Sequence, residues 1–204
     1  MEPFYTFHIE LNNLNKKLLN LSAQVEERFR RATSLIFQFD EQIANSLILS
    51  DYQIDEMEVE IEEDCLKILA LHQPVASDLR FIITVIKVNN ELERIADMAV
   101  SIALRSRAIS RSPSQELVKE IDFLEMSENV VKMLKNSLDA LINRDPDLAR
   151  QVFLMDDEVD AHRDYVYRAI KDLIRENPEH PGGLINTYLL ARHLERTGDR
   201  ATNI

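Results

Sequence analysis

Asn90-Glu-Leu-Glu-Arg-Ile-Ala-Asp-Met-Ala-Val-Ser-Ile-Ala103 is the stretch on which the fold turns. Its core, Leu92-Glu93-Arg94-Ile95-Ala96-Asp97, returns near the end of the chain as Leu194-Glu195-Arg196-Thr197-Gly198-Asp199. Both copies set a Glu and an Asp four residues apart, which on a helix puts two carboxylates on one face, one turn apart. Like charges so placed destabilise an isolated helix by roughly a few tenths of a kcal/mol. At about 100° per residue, Val85, Val88, Leu92, Ala96 and Ala99 share one stripe, and Asn90, Glu93 and Asp97 lie together on its flank. A flank position reaches both a neighbouring helix and solvent.

Outward from this stretch, apolar residues recur at steps of three and four. Leu14, Leu18, Leu21, Val25, Phe29, Ala32, Ile36 and Phe39 predict a long amphipathic helix over residues 7–39. Asp40 is placed to cap a short piece over residues 40–47. A helix over residues 51–72 follows, carrying Ile54, Ile61, Cys65 and Ile68 on one side and ended by Pro74. Ser77 or Asp78 is expected to cap the helix that runs to about Arg107. The polar break Ser110-Arg-Ser-Pro-Ser114 divides the chain. Beyond it, Leu117, Ile121, Leu124, Val131, Leu134, Leu138 and Leu141 form a second long stripe. Asp145 and Pro146 then open a helix, another covers residues 156–175, and the last starts near Leu184 and is still running at Ile204, so it is expected to be cut short there.

The second half repeats the first. Residues 40–55 align with residues 145–160 without a gap, Asp51 and Asp156 standing 105 positions apart, while Glu93 and Glu195 stand 102 apart. Units of this length are whole subdomains. The expected fold is all-α: two tandem, pseudo-symmetric three-helix bundles, residues 1–110 and 111–204. The alignment exposes a second recurring pair, Asp51/Asp55 and Asp156/Asp160. If the helices bearing these pairs pack beside those bearing Glu93/Asp97 and Glu195/Asp199, four carboxylates converge in each half.

An acidic pair at this spacing is ordinarily part of a solvated face, and 29% of the residues are charged. Four pairs at equivalent places point instead to cations, because a divalent ion reverses the repulsion among clustered carboxylates. Oxygen ligands favour Mg²⁺, Mn²⁺, Ca²⁺ or iron over a structural zinc site. His193 and His162 are near enough in sequence to join a site, and the plainer expectation for both is a helix-surface histidine. Arg94 and Arg196 are placed either to orient carboxylates or to form exposed salt bridges worth about 0–1 kcal/mol.

Composition closes off other classes. Among 204 residues the net charge is −12, which disfavours nucleic-acid binding. The single cysteine, Cys65, excludes an intrachain disulfide, suits a reducing compartment and reads as a small buried hydrophobe. No apolar run is long enough to span a bilayer, and the N-terminus lacks the features of a signal peptide, so a cytoplasmic protein is expected. The Glu-x-x-His ligands of ferritin-like di-iron proteins, phosphate-binding Gly-rich loops and nucleophile elbows do not occur. No enzyme is expected. The alternative is a carboxylate-cluster metalloenzyme acting on phosphoesters.

Gln73-Pro-Val-Ala-Ser-Asp78-Leu-Arg80, Lys87, Leu92 to Asp97, Ala99 and Ile102 resemble the PhoU family of phosphate-signalling regulators. The second unit does so through Leu194 to Arg200 with Ala201, Asn203 and Ile204. The resemblance implies two three-helix bundles and multinuclear clusters of divalent or ferric ions (iron, Mn, Mg or Zn). The family's acidic motifs fall on Asp51, Asp55, Glu93, Asp97, Asp156, Asp160, Glu195 and Asp199. It further implies a non-enzymatic cytoplasmic adaptor, homodimeric and at most peripheral to the membrane. Its partners would be the ATPase subunit of a phosphate ABC transporter and a sensor histidine kinase. Ala96 departs from the usual Gly of the motif, and Gly182-Gly183-Leu184 stands where the Asp-Leu-Arg segment would recur.

Overall fold

The computed structural model describes residues 2–204, with side chains from Thr6 onward. Its helices are α1 (Glu2–Phe37), α2 (Glu41–Leu49), α3 (Tyr52–His72), α4 (Ala76–Ser110), α5 (Gln115–Val118), α6 (Leu124–Asn143), α7 (Pro146–Glu176) and α8 (Pro181–Asn203). No strand occurs among the described residues. In the first half α1, α3 and α4 pack on one another, with α2 lying across α1 and α4. In the second half α6, α7 and α8 do the same. The fold is thus a pair of tandem three-helix bundles.

The helix ends follow local chemistry. Asp40 and Asp145 each accept hydrogen bonds from the second and third N–H groups of their helices, at 2.7 and 3.0 Å for Asp40 and 3.0 Å twice for Asp145. Gln73 closes α3 and Arg144 closes α6 in the left-handed region, at φ 45° and 54°.

The repeat is written in the burial pattern. At an offset of 105, the buried Leu21, Val25, Phe29 and Ala32 of α1 become the buried Met126, Val130, Leu134 and Ser137 of α6. At the same offset Ile54, Ile61 and Cys65 become Val159, Val166 and Ile170. At an offset of 102, Ile82, Val88, Leu92 and Ala99 become Leu184, Leu190, Leu194 and Ala201. These buried side chains do not make two separate cores. The most extensive helix pairing in the molecule is α4 against α8, and α1 also meets α6, so one apolar cluster runs through both halves. Cys65 is fully buried in it, and burial pushes its thiol up to about 11, beyond easy ionisation.

Several expectations are corrected. The stripe beginning at Leu117 is not one helix: α5 is a single turn and α6 begins at Leu124. The Asp122 carboxylate takes the Leu124 N–H at 2.8 Å, a local bond that competes with helix continuation, and Ile121 and Phe123 turn into the core. Neither Ser77 nor Asp78 caps α4, which starts at Ala76 without a side-chain cap. The final helix starts at Pro181, three residues before Leu184, because proline suits the first turn. The first-half break between α2 and α3 has no counterpart, since α7 runs unbroken through Met155 and Asp156.

That last difference has a specific cause. In the first half Arg28 reaches from α1 to the break, donating to the Leu47 carbonyl at 2.8 Å, the Ser50 carbonyl at 3.3 Å and the Ser50 hydroxyl at 2.6 Å. It thereby satisfies carbonyls that an interrupted helix leaves open. The equivalent residue of α6 is Met133, which has no donor, and there the carbonyls must be satisfied by continuing the helix.

Candidate functional site

In the first half, Asp51 sits at the α2–α3 turn and Asp55 one turn into α3, facing Glu93 and Asp97 on α4. The packing of α3 on α4 brings the four together electrostatically. Burial raises the proton affinity of Asp51, Arg28 opposes the rise, and Asp55 and Asp97 add to it. Burial likewise raises Glu93, with Asp97, Glu58 and Asp55 adding and Arg94 opposing, and it raises Asp97 with Asp55 adding. Asp51 and Glu93 are half-buried, whereas Asp55 and Asp97 are exposed, as a flank position requires.

The second half assembles in the same way from α7 and α8. Burial pushes Asp156 up to about 6, with Asp199 and Asp160 adding. It raises Glu195, with Asp199 and Asp160 adding and Arg163 opposing. The two helices approach closely here: a Cβ on Gly198 would lie 3.2 Å from Asp156 Oδ1 and 3.3 Å from Met133 Cε. Ala96 carries that Cβ in the first half and is itself buried. The eight expected residues therefore gather as two groups of four.

Residues outside the acidic motifs also enter these clusters: Arg94 acts on the first, Asp157 and Arg192 on the second, and three more do so as follows. Arg28 pairs with Asp51 at 3.1 Å. Glu58, three residues beyond Asp55, joins the first cluster, and its proton affinity is raised by burial, by Glu62 and by Asp55. Arg163, three residues beyond Asp160, lies 3.8 Å from Asp160 and 3.9 Å from Glu195. Glu58 and Arg163 share a helical face with the motifs and were within reach of sequence reading. Arg28 arrives from a different helix, and no local pattern announces it.

The histidines do not join. His162 shares a hydrogen bond of 2.8 Å with the Asp122 carbonyl, tying α7 to the segment before α6. His193 is only partly a surface histidine: among the described residues, neither ring nitrogen is accessible or has a hydrogen-bond partner. Burial, then Arg105, Arg196 and Arg192, hold it down at about 4, hence neutral near pH 7. Arg94 donates to Asn90 at 3.0 Å and, among the described residues, forms no ion pair within 4.0 Å.

As donors, the clusters suit a hard cation in kind and in charge, since every motif side chain is a carboxylate. Among the described residues, however, no three His, Cys, Asp or Glu side chains close around one point as ligands. Arg28 and Arg163 reach into the clusters instead.

Asp156 yields a pH prediction. Its folded-state value of about 6 exceeds the ordinary 3.8, so between the two the folded chain binds more protons than the unfolded one. Its contribution is complete below 3.8 and is lost as pH rises through about 6. Because the side chain is partly exposed, solvent screens the effect to about 1 kcal/mol. Urea midpoints measured from about pH 4 to about pH 8 should show Asp156→Asn gaining on the parent chain as pH rises. Parallel pH profiles would refute the assignment.

The PhoU domain family matches residues 18–106 and again residues 123–204. The chain belongs to the PhoU family. It is 33% identical to a phosphate-specific transport system accessory protein PhoU homolog of Clostridium acetobutylicum, across 97% of this chain and 90% of that one. It is 35% identical to the homolog of Pseudomonas aeruginosa, across 97% and 81%. The crystal structure of PhoU from Pseudomonas aeruginosa superposes with a TM-score of 0.87 at 34% identity, covering 97% of this chain and 94% of that one. PhoU from Streptococcus pneumoniae, described as a phosphate transport system regulatory protein, superposes with a TM-score of 0.84 at 26% identity, covering 97% and 92%. Both PhoU matches contain one complete carboxylate cluster each.

Proposed function

We propose that the chain is a regulator of phosphate uptake and phosphate-starvation signalling, working as a metal-binding adaptor and not as an enzyme. The observation that carries this reading is the double PhoU match, each copy enclosing a four-carboxylate cluster on adjacent helices. The relatives' names, accessory proteins of phosphate-specific transport, supply the context. The partners that follow are the transporter's ATPase subunit and a sensor histidine kinase, engaged by a homodimer at the cytoplasmic side of the membrane. Among the described residues no helix is long and apolar enough to cross a membrane, in keeping with contact through partner proteins.

The chemistry asked of the clusters is modest. Asp51, Asp55, Glu93 and Asp97 would hold cations in one half, and Asp156, Asp160, Glu195 and Asp199 in the other. A bound divalent or ferric ion supplies positive charge that cross-links two helices. Such an ion would tie α3 to α4 in the first half and α7 to α8 in the second.

In a bacterium lacking its own PhoU protein, this chain should restore repression of a phosphate-starvation promoter in phosphate-rich medium. An unrepressed reporter alongside normal protein levels would sink the regulatory reading. For the metal, Glu93→Gln with Asp97→Asn should remove roughly half of the ions counted by elemental analysis of protein purified without chelator. Unchanged metal content in that variant would refute the first cluster as a site. Turnover of a simple phosphoester by the metal-loaded chain would instead favour a hydrolase.

A further inference from the structure

Away from the carboxylate clusters, the C-terminal ends of α1 and α4 bound a cavity of about 360 Å³ together with α8 and the segment that joins the two halves. Sites for small organic ligands span roughly 300–1,000 Å³ and are mostly apolar with a few placed polar groups. The cavity fits that description. Leu35, Ile36 and Ile109 line it from the first half, and Val118, Ile121 and Leu190 from the second.

Three features of the wall indicate what would fill it. Phe37, Phe39 and Phe123, three of the chain's eight phenylalanines, also line the cavity, and their rings favour edge and face contacts with an aromatic guest. Phe37 is 55% exposed, which leaves its ring room to turn onto such a guest. Ser106 stands in the wall at 4% exposure, yet among the described residues its Oγ has no hydrogen-bond partner. The equally buried Ser22 and Ser137 donate to carbonyls of their own helices, as does Ser110 beside the cavity. An unpaired buried hydroxyl is costly, and a polar group on a ligand would relieve it. The rim supplies the third feature. Lys119, Glu120 and Asp122 are exposed there, and Lys119 is already bonded to Glu116 at 2.7 and 2.9 Å. The rim is therefore net negative and repels an anion.

We propose that this cavity binds an uncharged aromatic molecule with one hydrogen-bonding group. Its rings sit among the phenylalanines and its polar group meets the Ser106 hydroxyl. The guest touches both bundles and the segment between them, so its binding braces the junction and stabilises the folded chain by mass action.

The probe is N-phenylnaphthylamine, uncharged and carrying a single N–H, whose fluorescence rises on leaving water. The full chain should bind it saturably, one molecule per chain. Anilinonaphthalene sulfonate, the same skeleton with an anionic group, should bind about tenfold more weakly. Ser106→Ala removes only the hydroxyl and should weaken the uncharged probe about threefold to tenfold. Ser106→Leu fills the cavity and should abolish binding. The urea midpoint of the parent chain should rise with probe concentration, and that of Ser106→Leu should not. Circular dichroism checks that the helices persist, and Val118→Trp, which plugs the cavity from α5, serves if Ser106→Leu fails to fold. No saturable binding, or binding that survives filling of the cavity, overturns the site. Equal or tighter binding of the sulfonate overturns the assignment of an uncharged ligand.

Discussion

Gly183→Ala should lower the stability of the chain by about 3 kcal/mol. Gly183 lies in the first turn of α8, fully against the turn that follows α4. A Cβ there would overlap the Ser112 and Ser114 hydroxyl oxygens and stand 2.8 Å from Ser112 Cβ. Rotating the hydroxyls does not relieve the clash. They are hydrogen-bonded to each other at 2.8 Å, Ser114 is fully buried, and Ser112 Cβ moves only with its backbone. The turn or the helix must therefore shift, and the shift spreads into the α4–α8 contact that joins the halves. Gly182 is the internal control, because a Cβ there meets nothing within 4 Å. Urea unfolding should show a large loss for Gly183→Ala and a change within about 0.5 kcal/mol for Gly182→Ala. Equal midpoints for the two variants would refute the close approach.

The second large effect is expected at Arg28. Arg28→Met places in the first half the residue that its equivalent position carries in the second. It removes the donors to the Leu47 and Ser50 carbonyls and the partner of Asp51. Loss of one member of a largely buried pair costs about 3–5 kcal/mol, and the 26% exposure of Asp51 brings the expectation down to about 2–3. The reciprocal Met133→Arg should destabilise as well, since α7 is continuous and offers no open carbonyls to a buried guanidinium. The measurement is again the denaturation midpoint, with Arg28→Lys expected to recover only part of the loss, because an ammonium cannot fork to two carbonyls and a carboxylate as a guanidinium does. Full stability of Arg28→Met would show that the α2–α3 break does not depend on this side chain.

The helical stripes of α1, α3, α4 and α8 were legible because each is a property of one segment: residues three and four apart share a face whatever the rest of the chain does. The same holds for Asp40 and Asp145, whose caps act within three residues. Where the reading failed, a local competitor or a distant partner intervened. The stripe from Leu117 kept helical spacing, yet Asp122 captured the Leu124 N–H and broke it. Ser77 and Asp78 had the right chemistry for a cap, but α4 starts without one. His193 read as a surface residue because its ring nitrogens are covered where α8 meets α4, beside Arg105, which no periodicity within α8 reveals.

From the sequence alone came an all-α chain, its internal repeat, and eight carboxylates in four pairs, because helix period and residue spacing are local quantities. The tertiary structure decided that the two bundles share one apolar core through α4 and α8. It also decided that Arg28 reaches from α1 to the helix break between α2 and α3, where its equivalent Met133 has no donor to offer. Those facts depend on side chains that are far apart in the chain and adjacent in space. A linear order of residues states their chemistry but not which of them meet.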